Sequence, residues 1–228
     1  MNHISRITGV LCGLFVWMAV VPESSAAGKG RWQNLLKHDD LSAWRRYCGT
    51  GFPQEGWEVK EGCLHLLRGG KGGELVTVEQ FDNFEFEWEW KIVSRGNNGI
   101  KYFVTEARPD APGPEYQMID DAVIPDAKHQ TAAFYDVLPV TGKKKLNPPG
   151  EWNKSRLVVQ GLHVEHWLNG VKVLSYELDS PEVKAGLANS KFKNAPGFGE
   201  KIKGHLLLTN HDRETWFRAM RIRTLPPK

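Results

Sequence analysis

Apolar and polar side chains alternate along much of this chain, most regularly between residues 84 and 91. There, four aromatic residues alternate with three glutamates and one lysine. A period of two places successive side chains on opposite faces of an extended strand. The segment is therefore predicted to be a strand with one buried aromatic face and one charged face.

Shorter apolar runs predict further strands at residues 157–159, 164–168, 205–208 and 216–222. Asn169-Gly170 lies between two such runs, and this dipeptide readily takes the positive φ angles of a type I′ hairpin turn. Glu61-Gly62 is a second, weaker hairpin signal. Ser180 followed by Pro181 predicts the start of a short helix that runs to Leu187.

The number of short strands decides the predicted fold class. The chain has 23 glycines and 13 prolines, and it shows no long segment of helical periodicity. Such a pattern favours an all-β protein, an antiparallel β-sandwich with at most one or two short helices.

The amino-terminal segment has the layout of a signal peptide. Arg6 precedes an apolar run at residues 7–21, and Ser25-Ala26-Ala27 supplies small residues for cleavage. A membrane anchor is the alternative, but the run is shorter than the roughly 20 residues that a bilayer span needs. We expect a signal peptide at 1–27, a single domain at 28–228, and export to the periplasm or the medium.

Charge and cysteine content restrict the partners further. The formal net charge of +3 is mild, and Lys143-Lys144-Lys145 is typical of a solvated turn, so no nucleic-acid partner is expected. Cys48 and Cys63 allow either a disulfide or two separate thiols. Neither belongs to a metal-binding motif, and no cofactor is expected.

Tryptophan is abundant, with nine residues in 228. An indole ring can stack on a sugar, but most of these side chains are also explained by a hydrophobic core. The alternation predicts that Trp88 and Trp90 belong to the core.

Residues 113–121 contain the densest polar cluster. On an extended strand, Glu115 and Gln117 share one face, where a carboxylate and an amide could hold sugar hydroxyls or support acid–base chemistry. The alternative is a solvated outer face that ends in a turn at Asp120-Asp121.

Two histidines three residues apart form a second candidate. His163 and His166 would point to opposite faces of a strand, so they are not expected to share a metal ion. His166 is either a satisfied buried histidine or a functional one.

An ordered set of short motifs resembles the 3-keto-disaccharide hydrolase family over roughly residues 35–225. The motifs are Leu41-Ser42-Ala43-Trp44, Trp57-Glu58-Val59-Lys60-Glu61-Gly62, Gly96-Asn97-Asn98-Gly99-Ile100, Glu115-Tyr116-Gln117, Gly150-Glu151-Trp152-Asn153, His166-Trp167-Leu168-Asn169-Gly170, Pro196-Gly197-Phe198-Gly199, His211-Asp212 and Trp216-Phe217-Arg218. The resemblance implies a concanavalin A-like jelly roll. It also implies hydrolysis of 3-keto-disaccharides or 3-keto-glycosides, made by a separate sugar 3-dehydrogenase.

The resemblance also implies roles for particular residues. The catalytic candidates are Glu115 as acid or base, Lys101 as the stabiliser of an enolate, His166 and Asp120. The substrate-binding candidates are Gln117, Asn97, Trp152 and His211. No catalytic metal is implied, although the acidic loop Asp120-Asp121 could hold a structural calcium ion.

Three other functions compete with this hypothesis. A non-catalytic carbohydrate-binding sandwich is the first, and a glycosidase that uses two carboxylates on an unoxidised sugar is the second. A structural or adhesion domain of the cell envelope is the third.

Overall fold

The computed structural model describes residues 28–38 and 40–228. The predicted signal peptide lies outside these residues, so its boundary at residue 27 stays a prediction. No helix of the described part is both long and apolar enough to cross a membrane.

Short strands are the main secondary structure of the described chain. In chain order they are β1 Gln33–Asn34, β2 Trp44–Arg46, β3 Trp57–Lys60, β4 Cys63–Leu66, β5 Leu75–Thr77, β6 Phe84–Ile92, β7 Asn97–Val104, β8 Glu115–Ile119, β9 Asn153–Gln160, β10 His163–Leu168, β11 Val171–Glu177, β12 His205–Leu208 and β13 Thr215–Thr224. One α-helix, α1, spans Pro181–Ala188, and two 3₁₀ turns span Asp121–Val123 and Ala127–His129.

The strands form two antiparallel sheets. The larger sheet has eight strands in the order β11-β10-β9-β6-β13-β4-β3, with β1 also paired to β13. The smaller sheet has five strands in the order β2-β5-β12-β7-β8. The predicted all-β antiparallel sandwich with very few helices is therefore confirmed.

Strand β6 has the two faces that its alternation predicts. Its four aromatic residues are buried in the core, and Trp88 and Trp90 are completely inaccessible to solvent. The opposite face carries glutamates that pair with arginines of β13: Glu85 with Arg223, Glu87 with Arg221 and Glu89 with Arg218. Opposite charges across neighbouring strands stabilise a sheet by about 0.2–1 kcal/mol for each pair.

Both predicted hairpin turns are present. Asn169 and Gly170 have φ angles of 47° and 81°, and Glu61 and Gly62 have φ angles of 53° and 71°. Two consecutive positive φ angles are the mark of a type I′ turn, whose twist matches that of the strands it joins. These turns connect β10 to β11 and β3 to β4.

Helix α1 begins where the sequence predicts. The Ser180 side chain accepts a hydrogen bond from the backbone N–H of Val183, and Pro181 occupies the first helical position. Ser180 thus satisfies one of the backbone donors that have no partner within the helix. The helix ends at Ala188, one residue beyond the predicted end.

Aromatic contacts join the two sheets through the core. Trp88 of β6 stacks on Phe86 and meets the ring of Tyr116, from β8, edge-on at 5.0 Å. The inward face of β8 is therefore committed to the core, and its outward face remains for other uses. Cys48 and Cys63 are both free thiols, so the disulfide alternative is wrong.

Candidate active site

A cavity of about 120 Å³ lies on the outer face of the five-stranded sheet. Strands β7 and β8 form its floor, and loops form its walls. Its lining residues are Asn97, Lys101, Asp110, Pro112, Gly113, Glu115, Gln117, Tyr135, Lys191, Phe192 and His211. The cavity thus brings together five of the eight predicted site residues.

Alternation along β8 explains why its polar residues face this cavity. Tyr116 and Met118 point into the core, where the Tyr116 hydroxyl lies 2.9 Å from Ser155 Oγ and Trp88 donates to the Met118 sulfur. Glu115 and Gln117 must then point to the opposite face. The prediction that these two residues share a face is confirmed.

Glu115 has the environment of an acid–base residue. Only 7% of Glu115 is exposed, and among the described residues no hydrogen bond is donated to its carboxylate. Burial raises the pKa of Glu115 to about 7, although the nearby Lys101 and Lys191 ammonium groups act in the opposite direction. A carboxyl with such a pKa can both hold and release a proton at neutral pH.

Gly99 makes room for the Glu115 carboxylate. A Cβ atom at position 99 would lie 2.0 Å from Glu115 Oε1 and 2.7 Å from its Cδ. These distances are far shorter than van der Waals contact, so any larger residue would displace the carboxylate. The glycine therefore allows the side chain of Glu115 to lie across β7.

Lys101 lies directly opposite Glu115 on the neighbouring strand, since the two residues are paired in the β7–β8 register. The Lys101 ammonium nevertheless contacts another carboxylate, Glu74 Oε1, at 3.3 Å. Lys101 thus brings a positive charge to the cavity floor without forming an ion pair with Glu115.

The side-chain amides of Gln117 and Asn97 differ in whether they already form hydrogen bonds within the protein. Gln117 donates to the His129 carbonyl at 3.3 Å and accepts from the backbone N–H of Met118 at 3.2 Å. Asn97 Oδ1 is buried and has no hydrogen-bond partner. Because an unpaired buried polar atom costs free energy, Asn97 is suited to accept a hydrogen bond from a ligand.

His211 lies at the mouth of the cavity, in the segment after β12. The residue as a whole is exposed. The protein around its ring nevertheless lowers the pKa of His211 by desolvation, and the Lys101 ammonium lowers this pKa further by repelling the protonated ring. The lowered pKa favours the neutral imidazole, which can accept a proton or a hydrogen bond.

One wall of the cavity was missed by reasoning from the sequence. Lys191 follows α1, and its backbone N–H donates to the Asp136 carboxylate at 2.7 Å. Its ammonium lies 4.4 Å from the centre of the Tyr135 ring. Neither Lys191, Tyr135 nor Asp110 belongs to a strand or a short motif, so no local pattern marks them.

His166 is not in the cavity, and its prediction as a catalytic residue is not supported by its position. The ring is completely buried between the sheets, with Nδ1 2.9 Å from the Ala132 carbonyl and Nε2 3.4 Å from the Tyr102 hydroxyl. Burial lowers the pKa of His166 to about 4. His166 is therefore a neutral core histidine, which was the alternative interpretation of the sequence.

Asp120 also lies outside the cavity lining. Its carboxylate accepts the backbone N–H of Arg95 at 2.8 Å and that of Ala122 at 3.2 Å. Both oxygens therefore hold the turn that follows β8. The position of Asp120 supports the alternative of a turn residue and not the predicted catalytic role.

Trp152 belongs to the opposite side of the molecule. Its ring lies on the outer face of the eight-stranded sheet, with the Arg218 guanidinium 3.9 Å and the Lys91 ammonium 5.1 Å from its centre. These cations cover the ring. Trp152 lines a groove on that side of the molecule, and this groove shares no lining residue with the Glu115 cavity. The predicted substrate contact of Trp152 is therefore not supported by its position.

The donor set for a metal ion is also lacking in residues 28–38 and 40–228, where no group of three His, Cys, Asp or Glu side chains is suitably placed. In the acidic loop, the Asp121 carboxylate accepts the backbone N–H of Thr131 at 2.8 Å and pairs with Lys144. A lysine thus meets the charge that a calcium ion was expected to meet, and the loop does not fit the predicted calcium site.

Comparisons with known proteins agree with this fold. A curated relative, a 3-keto-disaccharide hydrolase of Bacteroides thetaiotaomicron, is 32% identical over an alignment that covers 81% of this chain and 75% of that protein. A crystal structure of a candidate glycosyl hydrolase from Parabacteroides distasonis has a TM-score of 0.76 at 30% identity and covers 91% of this chain and 98% of that chain.

A more distant structure shows the fold alone. The β-glucanase of Bacillus licheniformis has a TM-score of 0.50 at 9% identity, covering 88% of this chain and all of that chain (100%). The expected concanavalin-like jelly roll is thereby confirmed. The sequence pattern of a family described as the 3-keto-alpha-glucoside-1,2-lyase-like domain matches residues 31–223. Because this match spans most of the chain, and a relative with 32% identity extends over a similar length, the chain belongs to that family.

Proposed function

We propose that the protein cleaves glycosides or disaccharides whose sugar has been oxidised to a ketone at C3. Its family membership and its similarity to the Bacteroides 3-keto-disaccharide hydrolase support this activity. The observation that carries the proposal is Glu115, a buried carboxyl with a pKa of about 7 that opens into a polar cavity beside Lys101.

The proposed reaction is an elimination followed by hydration. A ketone at C3 acidifies the hydrogen on C2, so a base can remove that proton and leave an enolate. The electron pair of the enolate then forms the C1–C2 double bond and expels the C1 substituent, which takes a proton from an acid. Water adds to C1 of the resulting enone, C2 regains a proton, and the products are a free 3-keto sugar and the released alcohol.

The cavity offers a group for each part of this reaction. Glu115 serves as the acid or the base, because its pKa allows both protonation states near pH 7. The Lys101 ammonium stabilises the negative charge of the enolate oxygen. His211, whose lowered pKa favours the neutral form, is available for the complementary proton transfer, and Asn97 Oδ1 accepts from a sugar hydroxyl.

The proposal includes a cellular setting. A C3 ketone has to be made by a separate sugar dehydrogenase, and the signal peptide predicted at residues 1–27 would carry the hydrolase out of the cytoplasm. Determining the amino-terminal residue of the protein recovered from the periplasm or the medium tests export. A first residue near Gly28 supports it, whereas an intact Met1 in the cytoplasm contradicts it.

A paired-substrate assay tests the chemistry. The protein is incubated with a glycoside and with its 3-keto derivative, and sugar release is measured for each. Release from the keto form alone supports the proposal. Release from both supports a glycosidase of the two-carboxylate type, for which Asp110 would supply the second carboxylate, and binding without release supports a carbohydrate-binding protein.

The Glu115→Gln variant tests the residue. It keeps the shape of the side chain but cannot exchange a proton, so turnover of the 3-keto substrate should fall by at least about 100-fold, the usual scale for an acid–base group. Glu151→Gln, which removes an exposed glutamate outside the cavity, is the matched control. Equal activity of both variants would overturn the assignment of Glu115.

A further inference from the structure

The pairing between β7 and β8 makes the lack of an ion pair between Lys101 and Glu115 unexpected. Lys101 and Glu115 are direct partners across antiparallel strands, where side chains of opposite charge normally attract each other because their Cβ atoms are about 5 Å apart. An opposite charge at such a distance favours an ionised carboxylate. In the described residues, however, no ion pair joins Lys101 to Glu115.

The Lys101 ammonium forms an ion pair with a different carboxylate, that of Glu74. Glu74 immediately precedes β5, two strands away from β7, and its Oε1 atom accepts from Lys101 Nζ at 3.3 Å. The contact is sheltered from solvent, since the two side chains are only 17% and 26% exposed. Shelter strengthens an ion pair relative to one on the open surface.

We propose that Glu74 is a positioning residue that holds the Lys101 ammonium away from Glu115 and so leaves the Glu115 carboxylate free for substrate. This inference rests on the role proposed above for Glu115. It explains why a buried carboxylate with a cationic partner directly opposite still receives no hydrogen bond from the protein. Glu74 does not line the cavity and was not singled out by any sequence motif.

Other charged groups also act on Glu115, and their positions show why Glu74 is decisive. Lys191 lies on the loop after α1, His211 follows β12, and Asp110 lies on the loop before β8. Lys191 lowers the pKa of Glu115 and Glu74 raises it, but the largest charged contribution comes from Lys101. Moving the Lys101 ammonium towards Glu115 is therefore the change with the greatest effect.

The test is a Glu74→Gln variant, which keeps the side-chain shape but removes the charge that holds Lys101. The titration of Glu115 is followed by carbon NMR of glutamate carboxyl groups, with Glu115→Gln used to identify the signal. The midpoint should fall by about 1 or more, because an opposite charge within about 4–6 Å lowers a carboxyl pKa by 1–3. The limb of the pH–rate profile that reports Glu115 should move to lower pH by the same amount.

Two further variants separate positioning from a direct effect of charge. Glu55→Gln removes a carboxylate that pairs with Lys71 on the exposed surface, outside the cavity, and should leave the Glu115 midpoint unchanged. In a Lys101→Met background, Glu74→Gln should shift the midpoint much less than in the natural protein. An equal shift in both backgrounds, or no shift in the natural one, would overturn the proposal.

The outcome of the Glu74→Gln titration does not depend on whether the protein cleaves the proposed substrate. Titration is measured on the protein alone, so a failure of 3-keto-glycoside turnover contradicts the proposed function without affecting this result. If Glu74→Gln does not fold, Glu74→Asp shortens the side chain by one methylene. It should lower the Glu115 midpoint by a smaller amount, and an unchanged midpoint in that variant also contradicts the inference.

Discussion

Replacement of Glu115 by glutamine should make the protein more stable at alkaline pH, as well as inactive. The pKa of Glu115, about 7, lies well above the ordinary glutamate value of 4.5. Below pH 4.5 the carboxyl is neutral in the folded and unfolded states alike, so its burial does not reduce the free energy of unfolding. This stability is lost as the pH rises through 7, because the folded protein must then bury a charge.

The magnitude follows from the difference between the two pKa values. One pKa unit corresponds to about 1.4 kcal/mol, so the ionised carboxylate reduces the free energy of unfolding by about 3 kcal/mol at pH 9. Glutamine never ionises and avoids this cost. For a domain of about 200 residues, 3 kcal/mol corresponds to a rise of about 6–12 °C in Tm.

Urea unfolding of both proteins, followed by tryptophan fluorescence at pH 4 and pH 9, measures this effect. The quantity of interest is the change with pH in the stability difference between variant and natural protein, since all other titrating groups contribute equally to both. The variant should gain about 3 kcal/mol relative to the natural protein between the two pH values. A difference that stays constant with pH would refute the reasoning that Glu115 is desolvated.

Three other substitutions test how residues are placed around the site. Gly99→Ala should lower kcat by about 100-fold in steady-state kinetics, because the new Cβ would lie 2.0 Å from Glu115 Oε1 and small misplacements of a reacting group are costly; an unchanged kcat would contradict the geometry. Asp120→Ala should reduce the free energy of unfolding by about 1–3 kcal/mol, as two backbone donors lose their acceptor, but leave kcat of the folded protein within twofold. His166→Leu should also destabilise the protein by about 1–3 kcal/mol, because the Ala132 carbonyl loses its partner, and again leave kcat nearly unchanged. A 100-fold loss of kcat in a folded Asp120 or His166 variant would restore the catalytic role first predicted for that residue.

Much of the fold could be predicted because local patterns report local structure. The aromatic alternation at residues 84–91 identified β6 and its buried face, and Asn169-Gly170 identified a hairpin turn. Ser180 and Pro181 identified the start of α1. Each of these features depends on the conformational preferences of a few consecutive residues, which are largely independent of the rest of the chain.

Sheet membership could not be predicted in the same way. Strands β4 and β5 follow each other in the chain, yet β4 lies in the eight-stranded sheet and β5 in the five-stranded one. The choice depends on which distant strands offer a matching edge and a shared core. No local signal contains that information.

The sequence by itself determined the all-β sandwich, its hairpins, the family and the face on which Glu115 and Gln117 lie. Only the tertiary structure decided which polar residues meet in the cavity and which are held elsewhere. His166 and Asp120 carry suitable chemistry, but the packing of the sheets buries one and the turn after β8 uses the other. Glu74, Lys191 and Glu115 are far apart in the chain, and their charges act on one another only because folding brings them together in a sheltered space.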